Sequence, residues 1–258
     1  MIPIDISELT TRFDNSPLFL GDDDWSSNKK LDWFPMDTQK LFEDNVKKFP
    51  TNKSLIHYSE NKILYDLNRF GFRTDANFDE HESGNIFLGC SHTFGIGHHL
   101  ENTWSYKVNK EIGGSFFNLG SPGLGIQNSV RLLQYYSNKL NIKNIFHYQP
   151  IYHRYEFYKD EQDIHNSIHR IVPHDFEKIN PSEIKTCLMS NHNIIQMYRV
   201  NILAIESIAK SLGINYYVHV GNVSKFKIGN TDLEARDLAH HTVNQQSRIA
   251  DLFLEKII

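Results

Sequence analysis

Residues 85–97 read NIFLGCSHTFGIG: an apolar run stops at Gly89, and Ser91 then stands among Cys90, His92 and Thr93. A serine at the end of a strand is either a turn residue or a nucleophile held at the edge of a sheet. Its hydroxyl attacks well only when a base removes the proton, and the base works best when a third group fixes its tautomer. The chain supplies such a pair near its end. In ARDLAHH, residues 235–241, Asp237 stands three residues before His240, a spacing at which one turn brings a carboxylate to an imidazole nitrogen. Singly, each has a plain structural use, Ser91 as a cap or turn residue and Asp237 as a helix N-cap beside a surface histidine. Together they point to a serine nucleophile with a base and an orienting acid.

Between these stretches lies NLGSPGLGIQN, residues 118–128. A glycine in such a loop can turn its N–H toward a developing oxyanion, and a helix N-terminus behind it adds a favourable field. The same composition also serves as an ordinary Gly-Pro loop before a helix. His98-His99 and His240-His241 are the other chemical candidates. Adjacent histidines rarely ligate one ion, and no HExxH or CxxC spacing accompanies them, so no metal is expected. Cys90 reads as a small buried residue at a strand end, and Trp104, Tyr135 and Tyr136 as core at helical spacing.

Positioning these groups requires strands that end together. Residues 86–88, SFFNLG, NIFHYQ and INYYVHV read as four strands. Between them run helical stripes: Trp104, Val108 and Ile112, stopped by Gly113-Gly114; Ile126, Val130 and Leu133; and a long helix over 190–212 with Gly213 at its end. Ile249, Leu252, Phe253 and Ile257 mark a last helix. Strand–helix alternation predicts a parallel sheet covered on both faces. Sites in such sheets gather beyond the carboxyl ends of the strands, where Ser91 falls. Residues 152–188 are polar and His-rich, without a legible period.

Residues 1–84 differ from the rest. Asp37 reads as the cap of a short helix carrying Leu41, Phe42 and Val46, and SLIHYSENKILYDLN reads as a β-hairpin. The division expected is an N-terminal extension, 1–84, packed on an α/β domain, 85–258.

The order of these blocks resembles the SGNH (GDSL-like) hydrolase superfamily, including uncharacterised phage and bacterial members. GCSHTFG matches the block that carries the serine, with Cys90 where Asp is usual. Asn118 through Gly123 matches the second block, which makes Gly123 the oxyanion glycine, and Asp237 and His240 match the last. The third block, Gly-x-Asn-Asp, is absent. Its place reads IFHYQPIYHRYEFY, where Gln149 is the nearest substitute for the missing amide and Tyr152, His153 or Arg154 are other donors. The resemblance implies a three-layer α/β/α sandwich and no cofactor. It also implies hydrolysis of short acyl or O-acetyl esters, often on carbohydrate. Ser91 would be the nucleophile, His240 the base and Asp237 its orienting acid. The oxyanion would rest on Ser91, Gly123 and Gln149, and Arg154 would face an acidic or sugar-bearing substrate. An acyltransferase would use the same groups, and a binding protein that kept the fold and lost the chemistry would keep most of them.

Composition narrows the setting. The 258 residues carry a net charge of −4, which gives no general attraction to nucleic acid or anionic membrane. Two cysteines, Cys90 and Cys187, make no disulfide framework. No apolar run reaches the ~20 residues of a membrane span. The first residues show no basic segment followed by an apolar one, so no signal peptide is expected and the expected setting is cytoplasmic.

Overall fold

The computed structural model describes residues 29–78, 82–149, 155–158, 168–171, 191–220 and 232–257. In chain order the elements begin with β1 (Lys30–Leu31), α1 (Gln39–Lys48), α2 (Lys53–Glu60) and β2 (Tyr65–Asp66). The core section follows with β3 (Ser83–Gly89), α3 (Ser91–Phe94), α4 (Trp104–Ile112), β4 (Ser115–Asn118), α5 (Ile126–Tyr136) and β5 (Asn141–Gln149). β6 (Tyr155–Tyr158) pairs antiparallel with β7 (Ile168–Ile171), and α6 (Asn191–Leu212), β8 (Asn215–Val220) and α7 (Val243–Leu254) complete the described elements.

β4, β3, β5 and β8 form one parallel sheet in that order. The chain leaves β3 for β4 on one side and then crosses to β5 on the other. The switch point, where a cleft opens beyond the carboxyl ends, therefore lies between β3 and β5. Side chains alternate across the sheet as a strand requires. Ile86, Leu88 and Ile145 enter one cluster with Leu132, Leu133 and Tyr136 of α5 and Ile205 and Ala209 of α6. Phe87, Phe116, Phe146 and Tyr148 enter the other, with Trp104 and Val108 of α4 and Ile249 and Phe253 of α7. Helices thus cover both faces, an arrangement compatible with a three-layer α/β/α sandwich. Local signals fix the helix ends: Thr103 caps α4 by accepting from Tyr106 N–H, and Thr242 with Gln245 forms a capping box on α7. Among the described residues no helix is long and apolar enough to cross a membrane.

The N-terminal segment departs from its expected form. Residues 54–58, expected as the first strand of a hairpin, lie in the helix Lys53–Glu60 because Asn52 caps it, its side chain accepting from Ser54 and Leu55 N–H, while Leu55 and Tyr58 bury one face. The strand pairing there is instead the two-residue contact of β2 with β1. Thr38, not Asp37, caps α1; Asp37 is buried elsewhere. Phe34, Tyr58, Tyr65 and Phe72 of this segment belong to the same buried cluster as Ile86 and Leu88.

Candidate active site

The strand that leads to Ser91 ends in a turn only glycine can make. Gly89 has φ +147°, and a Cβ there would lie 2.2 Å from Thr93 Oγ1 and 2.3 Å from Tyr148 O. Ser91 opens α3 two residues later, after Cys90, and its carbonyl accepts from Gly95 N–H at 2.9 Å. The residue is 1% exposed. Among the described residues its Oγ has no hydrogen-bond partner. Cys90 beside it is fully buried.

Asp237 and His240 pair as their spacing predicts. Asp237 Oδ1 accepts from Ala239 N–H at 3.0 Å and His240 N–H at 3.2 Å, and Oδ2 lies 2.5 Å from His240 Nδ1. These bonds hold a tight turn in which Leu238 takes a left-handed φ of 57°. Burial alone would raise the Asp237 pKa; the hydrogen bond and charge of His240, with the two backbone donors, bring it below the ordinary carboxylate value. An ionised Asp237 accepts the Nδ1 proton, which leaves Nε2 of a neutral His240 as the proton acceptor.

Ser91 and His240 do not share a hydrogen bond in this structure, but their neighbours touch. The ring of His92 lies edge-on to His240, 5.2 Å between centroids, and stacks on His241 at 3.8 Å. His241 Nε2 is 3.1 Å from the Tyr148 hydroxyl, and its carbonyl is 2.5 Å from His98 Nε2. Burial holds His98 down to about 3, and burial with the His240 charge holds His241 down to about 4. The histidine doublets thus have structural partners, and among the described residues no three His, Cys, Asp or Glu side chains converge as a metal site.

The Gly-Pro loop folds over the same end of the sheet. Ser121 N–H donates to Gly89 O at 2.9 Å, and a Cβ on Gly120 would meet Phe94 N at 2.4 Å. Gly120 N–H is committed to Asn118 Oδ1. Leu124 N–H closes a turn onto Ser121 O, with Gly123 at φ +78° in the position where a type II turn requires glycine. Gln149 ends β5, one step past Tyr148, which pairs with Gly89. Its carbonyl accepts from the Tyr198 hydroxyl. His147, two residues earlier, has Nδ1 3.0 Å from the Tyr216 hydroxyl and is held by burial down to about 4. Tyr152, His153 and Arg154 lie outside the described residues.

Sequence reasoning missed His92, whose role rests on a contact across the fold, and Asp37 with Arg236, which form a buried ion pair. Only the position of His92 next to Ser91 was visible beforehand. No protein-family model matches the chain, and no curated protein matches it.

Proposed function

We propose that the protein is a serine hydrolase of ester bonds, of the SGNH kind, acting on short acyl or O-acetyl esters, including those on carbohydrate. The observation that carries this reading is the Asp237–His240 pair facing, through His92, a turn whose serine hydroxyl is buried and unpaired. Leaving a buried hydroxyl unsatisfied costs about 1–3 kcal/mol, a cost that a catalytic role for Ser91 accounts for. Its place at the sheet's switch point is where ligands of such folds bind.

The chemistry follows from the groups. Ser91 Oγ attacks the acyl carbon as His240 Nε2 takes its proton, and the carbonyl electron pair moves onto oxygen. Backbone N–H groups of Ser91 and Gly123, with the Gln149 amide, receive that oxyanion. Collapse expels the alcohol, which takes the proton from His240 and leaves an acyl-serine. Water, deprotonated by His240, attacks the acyl carbon; collapse of the second tetrahedral intermediate breaks the bond to Ser91 Oγ, which takes the proton back from His240, and the carboxylic acid leaves. Asp237 stays ionised and orients the ring throughout. A Ser91–His240 hydrogen bond, not made here, forms when substrate binds, since catalytic hydrogen bonds are often long or poorly aligned until then.

A fluorophosphonate tests this reading, since it transfers phosphorus to an activated serine and stops there. One adduct on the peptide containing Ser91, absent in Ser91→Ala, is expected, together with turnover of p-nitrophenyl acetate. The open Ser91–His240 bond and Cys90 in place of the family's Asp favour the rival, a binding protein without chemistry. Folded chain that neither labels nor turns over ester would establish that rival. Turnover that accelerates when an alcohol is added, with transfer of the acyl group to it, would make the protein an acyltransferase.

A further inference from the structure

Residues 234–237, just ahead of His240, are held by the N-terminal segment. Asn52 Nδ2 donates to Glu234 Oε2 at 2.7 Å, Glu234 N–H donates to Ser54 Oγ at 2.8 Å, and Asn45 Nδ2 reaches Asp237 O at 3.5 Å. Arg236, adjacent to Asp237 in the chain, is buried. Its Nε lies 3.0 Å from both Asp37 oxygens, and its Nη2 donates to Asp37 Oδ2 and to Asp32 O, each at 2.7 Å. The Trp33 ring covers the guanidinium, 3.9 Å from its centroid.

These contacts close a ring. Tyr65 Oη donates to Asp37 Oδ2 at 2.5 Å and accepts from Gly97 N–H at 2.9 Å; Gly97 O accepts from Arg236 N–H at 2.9 Å; the Arg236 side chain returns to Asp37. Gly97 follows the Ser91 turn and Arg236 precedes Asp237. The ring therefore joins the two halves of the site and is closed by two side chains of the N-terminal segment. Arg73 braces it, stacked over Tyr65 and donating to Gly95 O at 2.6 Å and His98 O at 2.8 Å.

We propose that Asp37 is a positioning residue of the active site, and that residues 32–73, through the Asp37–Arg236 pair, hold Asp237 in place against His240 and the two of them beside the Ser91 turn. This rests on the reading of Asp237 and His240 as orienting acid and base. An ion pair this deeply buried is an inefficient source of stability, because desolvation offsets its attraction and apolar side chains of the same volume often do as well. What apolar side chains cannot supply is a fixed register. The planar fork of Arg236 on both Asp37 oxygens allows one geometry, and a displaced Arg236 carries Asp237 with it. Displacements of 1 Å around a reacting group cost on the order of 10²-fold in rate.

The test is the ring ¹⁵N shifts of His240, assigned against His240→Ala, read beside fluorophosphonate labelling in the full chain. Wild type is expected to hold the Nδ1–H tautomer. Asp37→Asn leaves Arg236 without its counter-charge, so Asp37→Leu combined with Arg236→Met, which removes both charges, is the second variant. Either one, shown folded by a cooperative melt, is expected to move His240 toward the Nε2–H tautomer. The labelling rate constant should fall about 10²-fold while the probe's binding constant holds. If neither folds, Tyr65→Phe, which opens the ring at one hydroxyl, is read the same way. An unchanged His240 tautomer in a folded variant overturns the proposal, whatever the labelling does. A wild type with the Nδ1–H tautomer but no labelling and no ester turnover would reject the hydrolase reading alone, since the tautomer shift still decides the role of Asp37.

Discussion

The imidazoles of His92 and His241 stack face to face, 3.8 Å between centroids and 23° from parallel. The residue after Ser91 thus packs on the residue after His240. Both belong to a cluster in which Tyr148 bonds His241 and Gln246 Nε2 reaches His92 O at 3.4 Å. His92→Ala should open a gap between the two turns and slow fluorophosphonate labelling about tenfold or more, consistent with the sensitivity of such geometry. Loss of the ring contact should cost about 0.5–1.5 kcal/mol in a denaturant melt. His92→Phe keeps a stacking ring and should recover most of the rate. Failure of that rescue would transfer the role from stacking to the ring nitrogens.

Stability should depend on pH through histidines far from their ordinary value. Burial lowers His98 to about 3 and His147 to about 4, and burial with the His240 charge lowers His241 to about 4. In the unfolded chain each takes a proton near ~6.5. Between those values the unfolded state binds more protons, so stability is fully present above ~6.5 and is lost as pH falls toward 4. Each histidine adds a slope of up to about 1.4 kcal/mol per pH unit inside that window. The lowered Asp237 adds its loss only at lower pH, below the unfolded carboxylate value of 3.8. Melting temperature should therefore be level above about pH 7 and fall below ~6.5. His98→Gln, which can still donate to His241 O, should flatten the decline. A constant melting temperature from pH 7 to 5 would contradict the assignment of these rings as buried and neutral.

Limited proteolysis should release no stable fragment beginning near residue 85. Phe34, Tyr58, Tyr65 and Phe72 are nearly inaccessible and share a cluster with Ile86, Leu88 and Phe94. Removing them would bare one face of β3 and leave Arg236 without Asp37. A chain starting at residue 85 should bind a hydrophobic dye and melt without cooperativity. Recovery of a folded, labelling-competent fragment would show that the segment is a separate module.

Elements written in local patterns were legible in the sequence. The stripe of Trp104 and Val108 forms α4, and the apolar runs at 86–88 and 144–149 lie in adjacent strands of one sheet. The Asp237–His240 pair was legible for the same reason, since its partners are three residues apart. Residues 54–58 were misread as a strand because their apolar residues fit either period, and the Asn52 cap decides for helix. Asp37 stands one residue before the Thr38 cap of α1, where local spacing offers it as the cap, yet its partner Arg236 is 199 residues away. No local pattern encodes such a pair. The same holds for His92, whose ring meets residues nearly 150 positions later.

Gln149 stands where the resemblance to SGNH hydrolases would place an asparagine, at the end of β5 beside the end of β3. Its side chain is buried two residues past the buried His147, so two roles compete: support of that histidine through the amide oxygen, or donation to the oxyanion by the amide N–H. Gln149→Ala removes both. Loss of an oxyanion donor lowers kcat by about 10²–10³ with little change in KM, because the bond is made only as charge develops. Gln149→Glu keeps an acceptor for His147 but places negative charge where the oxyanion forms. If donation is the role, both variants should lose ester turnover, Glu at least as severely as Ala, while melting temperature falls mainly in Gln149→Ala. If support of His147 is the role, Gln149→Glu should keep near wild-type turnover. Turnover unchanged in both variants, measured with p-nitrophenyl acetate on folded protein, would return the oxyanion to the backbone N–H groups of Ser91 and Gly123.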